Sequence, residues 1–157
     1  ALVSWFSSGE RAPTRPWPRR HLGPLRWAAT GLLIVSALGA ITALGDTLFP
    51  PEAVGAGFFD DFGGTFIVRL RWIHPVVAVA TTGYLLWMLN RTEEVAPRPS
   101  AALRILVLIQ VGAGVVNVAL LAPTWMQIVH LLVADAVWIL FVVLAATVLA
   151  ARPESNA

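Results

Sequence analysis

Four apolar runs, predicted at about 25–44, 66–90, 103–121 and 125–150, constrain this chain more than any other feature, because roughly 20 residues of this kind cross a bilayer as a helix. In hydrocarbon every backbone amide needs a partner within the protein, so runs of this length resolve into helices. The expected fold is therefore all-α, an integral membrane four-helix bundle. The composition agrees. Hydrophobic residues make up 57% and charged residues 13% of the chain, with a mean hydropathy of +0.74. A soluble domain averages about 25% charged residues.

Most of the charges sit between the runs or near their ends. All eleven basic residues are arginine, against nine acids. Residues 1–24 place Arg11, Arg15, Arg19 and Arg20 among Pro13, Pro16, Pro18 and Pro24, which predicts a basic, proline-rich arm without regular structure. His21 is expected there, in solvent or at headgroups. The connection at 45–65 carries Asp46, Glu52, Asp60 and Asp61 and no base. Arg91, Arg98 and Arg104 surround the next connection, Ala122-Pro123-Thr124 makes a tight turn, and Arg152 lies in a polar tail at 151–157. The positive-inside rule then puts both termini in the cytoplasm of a multi-pass protein of the plasma (inner) membrane. Trp27 and Trp87 fall at the inner boundary, Trp72 and Trp125 at the outer one. Arginine clustered at membrane surfaces, with no groove-binding motif, argues against a nucleic-acid partner. The lack of cysteine removes disulfides, thiolate-ligated heme, iron–sulfur clusters and zinc–cysteine sites. The chain begins at Ala1 and its first methionine is Met88, which leads us to expect a processed, trimmed or partial product.

Within FIVRLRWIHPVVAVA, Phe66 to Ala80, two arginines and a histidine stand at the start of the second span. Hydrocarbon disfavours ionisable groups unless a partner or ligand accompanies them. His130, in TWMQIVHLLVADA, holds the matching place in the fourth span, so both imidazoles are expected roughly 8–12 Å below the outer surface at 1.5 Å per residue. Aligning IHPVVAVA with VHLLVADA superposes His74 on His130, Ala78 on Ala134 and Ala80 on Ala136. Two parallel-related helix hairpins, each offering one histidine to a pseudo-twofold axis, would explain this. Facing imidazoles at one depth in an apolar bundle suit an iron with two axial histidines. Arg71, three residues before His74, and Arg69 are candidate partners for heme propionates; the competing readings are snorkelling anchors for the arginines and interhelical hydrogen bonds for the histidines. Gln110 and Asn117 share a face of the third span beside Gly112 and Gly114, as interhelical hydrogen-bonding groups would. Asp135 points about 140° away from His130 and does not support that ligand directly; its role stays open between structure and function. Pro75 either marks an early helical turn or bends the span. Tyr84 and Trp138 are read as packing.

ALGDTLFPP (Ala43 to Pro51), FIVRLRWIHP (Phe66 to Pro75), Gln110-Val111-Gly112 through Asn117, and Pro123 through His130 together make residues 25–150 similar to the carboxy-terminal half of heme A synthase, which serves cytochrome oxidase assembly. The resemblance implies an eight-helix protein of two similar four-helix halves that oxidises the heme O methyl group to the formyl of heme A. It implies that His74 and His130 ligate heme b. The substrate half of that family carries an E-x-x-H-R type motif whose glutamate is implicated in the oxidation, whereas Arg71 stands at the corresponding place here. The chain is thus expected to be the cofactor half, with catalytic residues unknown and the catalytic half absent, pairing with an amino-terminal half or with a second copy as a homo-oligomer. Heme O would be the substrate of the complete enzyme, and a quinol or other electron partner fits the chemistry. The alternatives are a non-enzymatic bis-histidine cytochrome b that anchors an electron-transfer subunit, and a heme-free structural bundle.

Overall fold

The structure is a computed structural model that describes residues 19–48 and 66–150, with side chains described over 21–48 and 71–150. Most of the predicted arm, the connection beyond Leu48 and the 151–157 tail lie outside the described residues. Four helices follow in order: α1 (Arg19–Leu48), α2 (Phe66–Thr92), α3 (Pro97–Ala119) and α4 (Thr124–Ala150). Each is long and apolar enough to cross a membrane. Large apolar side chains stay exposed along all four, among them Leu33, Val76, Ile105 and Ile139, as lipid contact requires.

The helices exceed the predicted spans at several ends. α1 starts six residues earlier and takes in Pro24, because a span in hydrocarbon keeps its helix where a proline in water would end it. That extension carries His21 onto the stripe of Leu25, Ala28 and Leu32, and His21 is buried instead of lying in solvent. α1 also runs through Gly45 and Asp46, so Asp46 belongs to a helical turn and not to the loop. α3 begins at Pro97, which sits at its first turn where the missing N–H costs nothing. Pro75 lies inside α2, which continues on both sides of it.

α1 packs closely with α2, and α3 with α4; the two hairpins touch each other far less. The core gathers at one end of the bundle, here called the linker end because the α2–α3 connection lies there. It comprises Leu25, Ala28 and Leu32 of α1, Leu85, Met88 and Leu89 of α2, Leu103 and Val107 of α3, and Val137, Phe141, Leu144 and Val148 of α4. Polar groups within it are paired: the Thr92 and Ser100 hydroxyls meet at 3.1 Å, and the Tyr84 hydroxyl donates to the Pro24 carbonyl at 3.3 Å. Arg104 donates to Asn90 (3.0 Å) and Glu93 (2.8 Å) across the connection. Arg91 lies over the Trp87 ring. A further side-chain hydrogen bond joins α4 to α1, from Trp138 Nε1 to Ser36 Oγ at 3.0 Å, so Trp138 and Tyr84 do more than pack.

The opposite end, the histidine end, closes with a tight α3–α4 turn in which Leu121 (φ 61°) and Ala122 (φ 53°) both adopt the left-handed region. Its groups are held: Ala122 N–H donates to the Asn117 carbonyl at 2.8 Å, and the Gln127 amide donates to the Ala122 carbonyl at 2.6 Å.

Candidate functional site

On α2, Arg71 and His74 share a face, and α1 meets it with Val35, Gly39 and Asp46, which recur at helical spacing. Gly39 lets the imidazole lie against the α1 backbone: a methyl group at Gly39 would stand 3.0 Å from His74 Cε1. One ring nitrogen is within hydrogen-bond reach of the Val35 carbonyl, while His74 Nδ1 is buried without a partner. Arg71 Nε donates to Asp46 Oδ1 at 2.8 Å, and both side chains are largely buried. An acid in the last turn of a helix opposes the helix dipole, so this ion pair also relieves the end of α1.

The second hairpin repeats the arrangement. Gln110, Gly114 and Asn117 line one face of α3, and His130 of α4 lies against it. A methyl group at Gly114 would stand 3.2 Å from His130 Cε1, whereas one at Gly112 would meet nothing within 4 Å. The Gln110 amide nitrogen is 3.2 Å from His130 Nε2. His130 Nδ1, Gln110 Oε1 and Asn117 Oδ1 are buried and lack partners.

Each hairpin therefore sets a glycine of its first helix against a histidine of its second. Sequence reasoning found the histidines but missed Gly39, because 35 residues separate Gly39 from His74 and only 16 separate Gly114 from His130. No constant offset reveals the pairing; only superposing the hairpins does. It also missed Asp46 as the partner of Arg71, having placed it in a loop. Arg69 lies in α2, but its side chain is outside the described ones. Asp135 is exposed and stands apart from this constellation.

The described residues suit an iron porphyrin in one specific respect. Leaving buried nitrogens unpaired costs folding free energy, on the order of 1–3 kcal/mol each. Both candidate ligands carry such a nitrogen, and both rings lie against a glycine where a methyl group would crowd them. Among the described residues no three His, Asp or Glu side chains gather to hold a metal ion. An ion held by His74 and His130 would have to bring its remaining donors with it.

Compared with known proteins, the chain matches the family described as cytochrome oxidase assembly protein (COX15-CtaA) over residues 2–142. It is also similar to protoheme IX farnesyltransferases from two strains of Thermus thermophilus, with 42% and 41% identity over 159 residues. Each match covers 95% of this chain and 26% of the relative, so the chain spans about a quarter of the length of these relatives. No solved structure matches.

Proposed function

Since the chain belongs to the cytochrome oxidase assembly family of heme A synthase, we propose that it is the heme b-holding unit of such an enzyme, with His74 and His130 as axial ligands. The observation that carries this reading is the duplicated arrangement of a buried, unpartnered imidazole nitrogen against a glycine, once in each hairpin. In the family the enzymatic chemistry is an oxidation; the relatives' printed name refers to farnesyl transfer to protoheme IX. Both concern modification of a heme, and heme O is the substrate proposed for the complete synthase.

When bound, heme b would supply one-electron chemistry, and an iron held by two protein imidazoles would not bind oxygen. The chain's own residues hold and orient. His74 and His130 would hold the heme iron, one from each hairpin. Arg71, anchored by Asp46, would pair with a propionate, and Arg69 is the second candidate for that role. Gln110 engages His130 Nε2 and so leaves Nδ1 as the unpartnered nitrogen of that ring. Methyl oxidation would then belong to another half of the enzyme. With both termini cytoplasmic, the histidine end lies towards the outer face of the membrane.

The test is a reduced-minus-oxidised visible spectrum of the detergent-purified chain supplied with heme, beside His74→Ala and His130→Ala. A low-spin b-type signal lost in both variants is expected. A folded parent without that signal would overturn the reading. Conversion of heme O by the purified chain alone would contradict the assignment of catalysis to another half.

A further inference from the structure

Asp135 is an acidic side chain that neither the histidine site nor the core uses. It is the twelfth of the 27 residues of α4, close to the middle of the span. At 3.6 residues per turn it lies on the face formed by Ile128, Leu131, Leu132, Ile139 and Val142, all of them exposed. The core residues Val137, Phe141, Leu144 and Val148 occupy the opposite side of the same helix. Asp135 makes no hydrogen bond or ion pair with any described residue. In a lone bundle this places a carboxyl group against hydrocarbon at mid-depth, an arrangement that membrane helices avoid unless a protein partner or a water-filled cavity receives the group.

We propose that this face of α4 docks against a membrane helix from outside residues 1–157, and that the helix offers a nitrogen donor, guanidinium, imidazole or amide, to Asp135 at mid-depth. Charge complementarity selects that occupant over a second copy. The described cations, Arg26, Arg71, Arg91, Arg98 and Arg104, all lie within eight residues of a helix end. His74 and His130 turn inwards against Gly39 and Gly114. A twofold dimer through this face would instead bring two carboxyl groups together. The flanking side chains supply the apolar surface that helix packing in a membrane uses, and the Asp135 carboxyl group supplies the polar contact. In the farnesyltransferase relatives the matched stretch is joined to much further polypeptide, so this bundle occurs there beside other protein. The inference does not depend on heme.

The experiment labels the protein in its own membranes with a lipid-partitioned diazirine carbene and reads the α4 peptide by mass spectrometry, with the purified chain in vesicles as reference. The α4 face is expected to lose most of its labelling in native membranes relative to vesicles. Asp135→Leu is expected to restore it, with labelling of the α1 peptide around Leu33 and Ile34 unchanged. Asp135→Asn, which still accepts a hydrogen bond, should retain most of the protection. Equal labelling of the parent in both settings would overturn the proposal, as would protection that persists in Asp135→Leu. Protection that grows with protein density in vesicles would assign the face to a second copy. A change in the α1 pattern of Asp135→Leu would return the carboxyl group to the fold of the bundle itself.

Discussion

The two ends of this bundle are built differently from the same apolar alphabet. At the linker end, residues from all four helices converge until Met88, Leu89, Leu103, Leu144 and Val148 have no accessible surface, and the polar pair Thr92–Ser100 is satisfied internally. At the histidine end only Met126 and Gly45 are buried among the described residues, while four buried polar atoms on His74, Gln110, Asn117 and His130 go unpartnered. Close packing specifies one arrangement, and an unmet set of polar atoms marks where something else completes it. One end is packed across all four helices. The other leaves buried polar atoms that, on the proposed function, a ligand would complete.

Substitutions separate the two ends by size of effect. Leu144→Ala removes a fully buried side chain at the linker end and should cost about 2–5 kcal/mol of bundle stability, read by reversible unfolding in mixed detergent. Leu131→Ala, on the exposed face of α4, should change it little. A cost at position 131 equal to that at 144 would break the contrast. Gly39→Ala trades about 1 kcal/mol of helix propensity against crowding of the His74 ring, so stability should move little. Heme retention should fall sharply, whereas Gly112→Ala, with open space around it, should bind heme as the parent does.

Ala122→Gly relieves a left-handed residue at the histidine end and should stabilise the chain by roughly 1 kcal/mol, visible as a raised unfolding midpoint with an unaltered heme spectrum. The smallest effect lies at the linker end. The Arg104 guanidinium, hydrogen-bonded to Glu93, holds that carboxyl below its usual 4.5. A depressed folded value means that the contribution is fully present above 4.5 and is lost as pH falls through the lower folded value. The difference in melting temperature between the parent and Glu93→Gln should therefore be small at neutral pH, because the pair is exposed, and should vanish in acid. A difference that grows on acidification would reverse the sign.

Much of this was legible in the sequence, for identifiable reasons. The spans were legible because apolar length is a property of contiguous residues, and His74 and His130 because ionisable groups stand out in hydrocarbon. Interhelical bonding by Gln110 was expected from its polarity beside small residues, and it reaches His130. The Arg71–Asp46 pair was not legible: apolar length alone ended α1 before Asp46, whereas the helix runs past it. His21 was misplaced for the same reason at the other end of α1. Gly39 was hidden because the constraint on it comes from a ring on another helix.

The central claim is that the histidine end is completed by heme while the linker end is complete without it. Amide hydrogen exchange of the purified chain, prepared without heme and then loaded, tests this most directly. The account predicts that the linker-end segments around Leu85–Leu89 and Leu144–Val148 are protected in both states, and that loading adds protection around Gly39, His74, Gly114 and His130. Protection unchanged by heme, or gained evenly along all four helices, would contradict it.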